Sequence, residues 1–440
     1  MSALRDGAVE VVRRLRGAGF AAYWVGGCVR DLEMGLEPHD YDVATDARPA
    51  QITALFEHAV LVGAQFGVVI VFLDNQGYEV ATFRTEGPYL DGRRPSSVRF
   101  VTADEDVRRR DFTINGLLYD PLAQTILDSV GGREDIARKV VRTIGDPMAR
   151  FAEDRLRMLR AIRLATQLDF RVDPAMFAAI RAQAGTITQV SAERIRDELL
   201  RLLVAPARGQ GVRLLDESGL LAAVLPEVSA MRGVEQPPEF HPEGDVFTHT
   251  VLALEQLRDP SPELALATLL HDVGKPRTFE RAPDRIRFNG HAEAGAQIAE
   301  DICRRLRLSG EATSRVVTLV AEHLRIKDLV QMRPAKAQRF LLRPETAEHL
   351  ELHRVDCLAS HGDLTIYRWA TAQRVTLLAK RPAMPRLLSG DDLIAMGYRP
   401  GPQFSLMLEA VEDAQLEGTI ATRGEAVALV QREFPLQVET

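Results

Sequence analysis

The chain has 440 residues, too many for one ordinary hydrophobic core, so about two to four domains are expected. Its composition is typical of a soluble globular protein, and no apolar run approaches the roughly 20 residues of a membrane span. A net charge of −7 excludes a uniformly basic nucleic-acid binder. Three scattered cysteines argue against a disulfide framework or a zinc knuckle and indicate a reducing cytoplasm.

The chain begins with an amphipathic helix pattern at residues 1–19, which lacks the apolar segment of a signal peptide. A short apolar run at 22–25 then predicts a strand. Gly26 and Gly27 end this strand and open a helix that carries Arg30 and Asp31. A glycine turn at a helix N-terminus lets backbone N–H groups approach a phosphate closely.

A second predicted strand presents Asp40 and Asp42. Residues two apart in a strand point to the same face, so the two carboxylates can converge. Such a pair is repulsive unless cations lie between its members. Two divalent metals that clamp an in-line phosphoryl displacement would use it. The alternative here is a plain β-turn-α-β unit with two surface aspartates.

Apolar runs at 60–62, 67–73 and 78–83 predict further strands, and the last carries Glu79. Glu79 supplies a third carboxylate if its strand lies beside that of Asp42, and otherwise faces solvent. Residues 84–99 predict a loop. The basic run Arg108–Arg110, directly before Asp111, can hold phosphates or remain a solvated charge run.

From residue 136 onward the pattern is helical, with breaks at 236–244 and 381–385. The predicted helix 151–168 carries Asp154, Arg157 and Arg160 along one side, with Arg163 three residues further on. Aspartate offers only acceptors and arginine only donors, so together they can read the Watson–Crick edge of a base. An ordinary salt-bridge ladder would have the same spacing.

The second helical block contains imidazoles and carboxylates that are ligands for Mn, Fe, Co, Ni or Zn. They are His249, His271, Asp272, His291, His323 and Asp356. Any one histidine could be an isolated helix residue. An HD dipeptide with partners upstream and downstream favours a metal site instead.

The motifs GGCVRD, HDYDVAT, EVATFR, DGRRPSSVRF, RRDFTIN, EDRLRMLRAIR and SAERIRDEL follow one another in this order. Together they resemble the class II tRNA nucleotidyltransferase (CCA-adding enzyme) and bacterial poly(A) polymerase family from about residue 21 to 203. The pattern H…HD…H…H…D resembles the HD superfamily of metal-dependent phosphohydrolases from about 242 to 380, and the tail resembles that of many CCA-adding enzymes.

These resemblances imply a multidomain α+β fold. It comprises a polymerase-β-like α/β nucleotidyltransferase head at 1–135, a helical neck that binds RNA and nucleotide at 136–235, a helical HD domain at 236–380 and a helical tail at 381–440. The HD domain would hold one or two metal ions, with Mn²⁺, Ni²⁺, Fe or Zn²⁺ as candidates. It would act on phosphomonoesters or cyclic phosphodiesters.

The resemblance also implies roles for individual residues. Asp40 and Asp42 would hold Mg²⁺, with Glu79 as the third acidic residue. Asp154 and Arg157 would be a protein template that accepts CTP or ATP. The other implied nucleotide-binding residues are Gly26, Gly27, Arg30, Asp31, Arg110, Asp111, Asn115, Arg160 and Arg163. The loop residues Glu86, Asp91, Arg93 and Arg94 would help the site switch from C to A addition.

Three residues depart from the family pattern. His39 stands where Lys or Gly is more familiar, Glu86 replaces a more usual Asp, and Gly116 begins a Gly-Leu-Leu sequence in place of an Ala-rich one. None of the three removes an implied metal ligand or template residue.

We therefore expect template-independent addition of CCA to tRNA 3′ ends from CTP and ATP in the cytoplasm, with no membrane partner. An enzyme that adds only A, one that adds only CC, and a poly(A) polymerase are the alternatives. Asp91, Arg93 and Arg94 disfavour CC-only addition. The acidic set and the Asp154–Arg157 pair disfavour a phosphohydrolase with a vestigial head and a non-catalytic RNA-binding scaffold.

Overall fold

The computed structural model of the protein describes residues 3–62, 67–86, 98–239, 241–380 and 385–436. The chain divides into two compact units. The first comprises Met1–Ser229 with Ile302–Leu308, and the second comprises Ala230–Asp301 with Ser309–Thr440. No helix in the described ranges is both long and apolar enough to cross a membrane.

A mixed sheet dominates the head of the first unit. The strands of this unit are β1 (Ala22–Val25), β2 (Asp42–Thr45), β3 (Ala59–Leu61), β4 (Val68–Leu73), β5 (Gln76–Thr82), β6 (Arg84–Glu86), β7 (Val98–Phe100), β8 (Leu118–Asp120), β9 (Thr125–Leu127), β10 (Val140–Val141) and β11 (Arg171–Val172). The main sheet has the order β3-β4-β5-β2-β1-β8-β9. Strand β1 is antiparallel to β2 and β8, whereas β2 and β5 are parallel. Strand β2 is therefore central, with β5 directly beside it.

The helices of this unit cover the sheet and build the segment that follows it. They are α1 (Ala3–Gly17), α2 (Gly27–Glu33), α3 (Pro49–Leu55), α4 (Ala103–Arg108), α5 (Gly132–Arg138), α6 (Pro147–Glu153), α7 (Arg157–Leu168), α8 (Pro174–Gln183), α9 (Ala192–Leu203), α10 (Arg208–Glu217), α11 (Leu220–Val224) and α12 (Pro226–Ser229). A short 3₁₀ helix spans Thr113–Asn115. Helix α1 buries Ala8, Val11, Val12 and Leu15, the helical spacing of one apolar face. The Nε1 of Trp24 in β1 donates to the Ala8 carbonyl at 3.2 Å, which anchors that helix to the sheet.

Helix α7 lies at the centre of the helical segment after the head. It packs against α9 and α10, and residues on every side of it are buried. A Cβ at Gly211 of α10 would lie 2.5 Å from Thr166 Oγ1, so only glycine lets α10 approach α7 this closely. Side chains on α7 are consequently held in fixed positions by their neighbours.

The second unit is helical. Its elements are α13 (Val246–Glu255), α14 (Pro262–Leu270), α15 (Lys275–Thr278), α16 (His291–Arg305), α17 (Gly310–Ala321), α18 (Arg325–Asp328), α19 (Pro334–Leu341), α20 (Thr346–Ala359), α21 (Thr365–Lys380), α22 (Gly390–Ala395), α23 (Gln403–Leu416) and α24 (Arg423–Glu433), with a small hairpin of β12 (Glu280–Arg281) and β13 (Ile286–Arg287). Residues 264–270 of α14 are all buried, because α13, α17 and α20 surround the helix. This explains its apolar sequence and places His271 and Asp272 in the middle of the unit.

The last three helices share an apolar cluster of their own, to which Leu393, Met407, Val411 and Val430 belong. The architecture is thus an α/β head followed by helical regions, and the predicted fold class is confirmed. The division into domains at 135, 235 and 380 remains a prediction.

Candidate active sites

The three predicted carboxylates of the head lie around the start of β2. Asp42 is its first residue, and Val43 is paired with Val80 of β5, so Asp42 and Glu79 stand just before that pair. Asp40 was predicted within the strand, but the strand begins only at Asp42 and Asp40 lies exposed ahead of it. The pKa of Asp42 is raised from 3.8 to about 7 by burial, then by the charges of Glu79 and Asp40, and Arg110 only partly compensates. This surplus of negative charge fits a bound divalent cation.

The glycine turn before α2 brings its backbone to these carboxylates. Gly26 has φ 75° and ψ −136°, a conformation that L side chains rarely adopt. A Cβ at this position would lie 3.7 Å from Arg110 Nη1 and 3.9 Å from Asp42 Oδ2. The turn, the carboxylate and the arginine therefore converge, as expected for a site that holds metal and phosphate together.

A chain of hydrogen bonds joins several of the residues predicted to bind nucleotide. Arg30 donates to Asp31 through Nε and Nη2 and to Asn115 Oδ1 through Nη1, at 2.9, 2.7 and 2.9 Å. The Asn115 amide donates to Asp111 Oδ1 at 3.4 Å. Asp111 Oδ2 accepts from both Nε and Nη2 of Arg160, at 3.0 and 2.6 Å. The chain thus connects the glycine turn with helix α7.

Asp154 and Arg157 were predicted on one helix, and this prediction is wrong. Helix α6 ends at Glu153 and α7 begins at Arg157, because Asp154 is extended at φ −140° and ψ 105°. Its Oδ1 accepts the N–H of Leu156 at 3.1 Å, and its carboxylate pairs with Arg194 at 2.7 Å. Asp154 therefore lies in the connection between α6 and α7, where its carboxylate pairs with Arg194 of α9.

The arginines of α7 already have protein partners. Arg157 is buried and donates to Glu153 Oε2 at 2.6 Å and to the Arg150 carbonyl at 3.1 Å. Arg163 is also buried and pairs with Glu198 at 2.5 Å. The structure therefore brings Asp154, Arg157 and Arg160 to one end of α7. Arg163 lies further along the helix, and its nucleotide-binding role stays a prediction.

Asp106 is a buried carboxylate of the head that the sequence did not reveal. Its oxygens accept from Arg109 at 2.7 Å and Arg110 at 3.0 Å, and also from the backbone N–H of Arg84 at 3.1 Å. Burial raises its pKa, but Arg110 and Arg109 outweigh that effect and hold the pKa below its ordinary value. Asp106 thus joins the start of β6 to the arginine beside Asp42. The predicted loop residues Asp91, Arg93 and Arg94 and the side chain of Glu86 lie outside the described residues.

The six predicted metal ligands of the second unit come together around Asp272. Its Oδ2 lies 3.3 Å from His271 Nε2 and 3.8 Å from His249 Nε2, and its Oδ1 lies 3.6 Å from His291 Nε2 and 3.9 Å from His323 Nε2. Asp356 Oδ1 is 3.0 Å from His249 Nε2. Two ligand groups therefore share Asp272, one on each carboxylate oxygen.

The orientation of the histidines selects the tautomer that binds metal. The Nδ1 atoms of His271, His291 and His323 each face a backbone carbonyl at 2.7–2.8 Å. A carbonyl only accepts, so Nδ1 carries the proton and each Nε2 offers a lone pair. The Nε2 atoms nonetheless meet in pairs, at 3.3 Å between His249 and His271 and at 3.2 Å between His291 and His323. Lone pairs facing each other at this distance fit a cation between them.

Burial and neighbouring charges support the same interpretation. Burial lowers the pKa of His323 to about 4, with His271 adding to the effect, so this imidazole is neutral and able to bind metal. Burial opposes protonation of His249, but Asp356 and Glu243 outweigh it and raise its pKa to about 9. Without metal the His249 ring therefore carries a proton, and a cation bound at Nε2 would take the place of that proton.

Sequence reasoning missed three residues around this centre. Glu243 Oε1 accepts from His249 Nδ1 at 2.6 Å, and His241 Nδ1 lies 2.9 Å from the same oxygen. Lys275 Nζ lies 2.7 Å from Asp272 Oδ2. Glu243 and His241 stand in the Pro/Gly-rich break, which gave no periodic signal. Lys275 follows the HD dipeptide by three residues, and that spacing could have suggested its contact.

Comparisons with known proteins find relatives of the parts of the chain that hold these two sites. Three family models match: the poly A polymerase head domain at residues 22–142, the probable RNA and SrmB-binding site of polymerase A at 169–231, and the HD domain at 246–359. The A-adding tRNA nucleotidyltransferase of Deinococcus radiodurans is 36% identical over 432 residues, which cover 93% of this chain and 94% of that protein. This chain belongs to the tRNA nucleotidyltransferase and poly(A) polymerase family. It is a nucleotidyltransferase with an HD domain, as predicted.

Other members of the family are similar over different lengths. The CCA-adding enzyme of Geobacillus thermodenitrificans is 44% identical over 214 residues, which are 48% of this chain and 53% of that enzyme. The match thus spans about half of that relative. The crystal structure of the Bacillus stearothermophilus CCA-adding enzyme in complex with CTP has a TM-score of 0.73 and 27% identity, and the match covers 98% of both chains.

The raised pKa of Asp42 predicts how pH and metal act on the first unit. In the unfolded chain this carboxyl ionises near 3.8 and in the folded protein near 7, so the folded state binds the extra proton between these values. Without metal, this group therefore lowers stability as pH rises from about 4 to 7. We expect Mg²⁺ to raise the melting temperature more at pH 8 than at pH 5.5, measured by calorimetry. In an Asp42→Asn protein the difference should vanish, and an equal Mg²⁺ effect at both pH values would contradict the account.

Proposed function

We propose that this protein adds CCA to the 3′ ends of tRNA, using CTP and ATP without a nucleic-acid template. The observation that carries the proposal is the convergence of Asp42, the Gly26 turn and Arg110, joined through Asn115 and Asp111 to the Asp154 end of α7. One end of this arrangement suits metal and phosphate, and the other suits a base. The similarity to CCA-adding enzymes, one of them in complex with CTP, supports the same assignment.

The reaction follows from the residues of the head. The 3′-hydroxyl oxygen of the tRNA bonds to the α-phosphorus, and the bond from that phosphorus to the oxygen bridging to the β-phosphate breaks. Pyrophosphate leaves with this oxygen, and the proton of the hydroxyl passes to solvent. We propose Mg²⁺ at Asp40 and Asp42, where it would make the hydroxyl more acidic and neutralise the leaving oxygens. Arg110 and the Gly26 turn orient the triphosphate, so the chain contributes mainly positioning and charge.

Base selection is assigned to Asp154 together with Arg157. C and A both present an amino donor beside a ring nitrogen that accepts, whereas U and G present a carbonyl beside an N–H. A carboxylate accepts from the amino group and a guanidinium donates to the ring nitrogen, so this pair would favour CTP and ATP. Arg194 holds Asp154 at 2.7 Å and fixes its direction.

Replacing Asp154 by asparagine should relax this selection. Asparagine can still accept the Leu156 N–H that ends the turn, but its amide can also donate to the carbonyl of uracil. We expect the preference for CTP over UTP, as the ratio of kcat/KM values, to fall about 10- to 100-fold. Asp169→Asn, at the opposite end of α7, should leave the ratio unchanged. If the ratio is unaltered in Asp154→Asn, the assignment of Asp154 to base selection is wrong.

Addition of A alone is the second candidate function, because the relative that matches over 93% of this chain is an A-adding enzyme. The two functions differ in their first substrate. A CCA-adding enzyme extends a tRNA transcript that lacks all three nucleotides, whereas an A-adding enzyme extends only a transcript that already ends in CC. The loop that we propose controls the switch contains Glu86, Asp91, Arg93 and Arg94. Exchanging this loop between a CCA-adding and an A-adding enzyme would test that role.

For the HD domain we propose metal-dependent hydrolysis of phosphate esters, with two metal ions that share Asp272. The first would be held by His249, His271 and Asp356, and the second by His291 and His323. Imidazole and carboxylate ligands suit Mn²⁺, Ni²⁺, Fe or Zn²⁺. When bound, the ions supply Lewis acidity toward the phosphoryl oxygens. Glu243 orients His249, since its carboxylate accepts from Nδ1 and leaves Nε2 facing the centre.

The remaining assignments rest on the same family membership. We propose a head at 1–135, a neck at 136–235, an HD domain at 236–380 and a tail at 381–440, acting on tRNA in the cytoplasm. The family models at 22–142, 169–231 and 246–359 each fall mainly within one of the first three segments, which supports this division.

A further inference from the structure

A cleft opens beside the second ligand group of the HD centre. It lies between residues 290–293, at the start of α16, and residues 321–328, around α18, and His291 lines it. Its volume is about 310 Å³, within the ~300–1,000 Å³ range of small-ligand pockets. The cleft and the metal centre thus share His291, so a molecule in the cleft would lie beside the metal centre.

Arg325, the first residue of α18, is the cation of this cleft. Its Nε is buried without a hydrogen-bond partner, and its side chain pairs with no carboxylate among the described residues. A buried guanidinium donor without a partner is costly unless a ligand supplies the acceptor. Arginine forks match phosphate oxygens two at a time, so a phosphoryl group is the acceptor that suits it best.

The acidic residues of the cleft limit what else the ligand can carry. The negative charge of Glu322 is compensated by Arg343, whose Nη1 lies 3.2 Å from Glu322 Oε2, and His349 Nε2 lies 3.6 Å from the same oxygen. Glu293 and Asp328 line the cleft, and their side chains have no ion-pair partner within the described ranges. Carboxylates accept hydrogen bonds and repel further anionic groups. The part of the ligand beyond its phosphoryl group should therefore carry hydroxyl or amino donors.

We propose that this cleft is the substrate pocket of the HD centre, in which Arg325 binds the phosphoryl group and Glu293 accepts from a hydroxyl of the body that carries it. In a protein that acts on RNA ends, such a body is a ribonucleoside. The inference rests on the proposed phosphohydrolase function. In the reaction, the oxygen of water bonds to phosphorus, the ester P–O bond breaks, and the proton lost by water passes to the departing ester oxygen.

The test compares substrates and variants in the full-length protein loaded with Ni²⁺ or Mn²⁺. The substrates are 3′-AMP, its 2′-deoxy analogue and p-nitrophenyl phosphate. The variants are Arg325→Gln and Glu293→Gln, with Lys327→Gln as the control, because Lys327 is an exposed cation on the same short helix that does not line the cleft. Metal content and thermal unfolding show whether each variant is folded and loaded.

We expect Arg325→Gln to lower kcat/KM for all three substrates about 10- to 100-fold and to weaken binding of inorganic phosphate, measured by calorimetry, by a similar factor. Glu293→Gln should reduce the preference for 3′-AMP over its deoxy analogue about 10-fold and leave p-nitrophenyl phosphate unaffected. Lys327→Gln should match the wild type in every measurement.

Two failures can be told apart. If the metal-loaded wild type hydrolyses none of the substrates, the phosphohydrolase function is wrong and the pocket assignment falls with it. If the wild type is active but a folded, metal-loaded Arg325→Gln protein keeps wild-type kcat/KM and phosphate affinity, the pocket assignment alone is wrong. Tighter metal binding in the cleft than at the histidines would also overturn it, because the carboxylates would then serve a cation.

Discussion

Asp42→Asn is expected to reduce nucleotide incorporation about 10³-fold. Asp42 is the half-buried member of the acidic cluster, and its pKa is raised by burial and then by the charges of Glu79 and Asp40. Asparagine keeps the shape of the side chain but loses the charge that holds the cation. A metal ion stabilises the charge of the transition state by several kcal/mol. A loss of about 4 kcal/mol of this stabilisation corresponds to the expected 10³-fold reduction in rate. The measurement is single-turnover extension of a tRNA transcript with radiolabelled ATP or CTP.

The matched control for this change is Asp46→Asn. Asp46 lies just past the other end of β2, is exposed, and accepts the N–H of Ala21 at 2.8 Å, which asparagine can also do. The control should extend tRNA at the wild-type rate. Binding of tRNA should be nearly unchanged in both proteins, since neither residue is assigned a contact with RNA. If Asp42→Asn incorporates nucleotide at the wild-type rate, the assignment of a metal site to the head is wrong.

Asp272→Asn is expected to empty the HD centre of metal and to abolish its hydrolysis of phosphate esters. Asp272 serves both ligand groups, one through each oxygen, so its replacement weakens both at once. Loss of an outer partner of a ligand costs about 10- to 100-fold in metal affinity, and loss of a shared ligand should cost more. Metal content after gel filtration, measured by mass spectrometry, should fall from about two ions per chain to near zero.

Asp284→Asn is a suitable control, because Asp284 is an exposed residue of the same unit that pairs with Arg287 and Arg285 and with none of the metal ligands in the described structure. It should retain its metal and its hydrolytic activity. Incorporation of CTP and ATP should be normal in both variants, because the head carboxylates are untouched. Full metal content in Asp272→Asn would contradict the assignment of a shared ligand.

Much of the head could be predicted because its signals are local. The apolar run of β1, the Gly26–Gly27 turn and the Asp40-x-Asp42 spacing each depend on only a few neighbouring residues. The pairing of β2 with β5, which brings Glu79 beside Asp42, depends on sheet topology, and only the family resemblance supplied it in advance.

The errors of prediction have physical causes that a single sequence hides. Residues 151–168 have the periodicity of one helix, yet the chain breaks at Asp154, because a side-chain acceptor for the Leu156 N–H and the pairing with Arg194 outweigh helical continuity. Asp106 could not be recognised, because its spacing from Arg109 and Arg110 is that of an ordinary surface ion pair on a helix, and Glu243 could not, because it lies in an irregular segment. Arg325 gave no signal at all, since a missing partner is visible only once the neighbours are placed.

The two sites differ in how the charge of their carboxylates is balanced. In the head, burial and the neighbouring carboxylate charges raise the pKa of Asp42, and this arrangement favours a bound cation. In the HD centre, histidines with fixed tautomers surround one aspartate that Lys275 also contacts. The first arrangement fits a divalent cation bound by oxygen ligands, and the second fits a metal bound by imidazole and carboxylate ligands.

The central claim, addition of all three nucleotides, is tested most directly by stepwise extension of tRNA transcripts that end before CCA, after C and after CC. The products with CTP alone, ATP alone and both are resolved on a sequencing gel. We predict that the first transcript gains two nucleotides with CTP alone and three with both. We also predict that the third gains one with ATP alone. If the transcript that lacks CCA is not extended while the one ending in CC gains A, the protein is an A-adding enzyme and the claim is wrong.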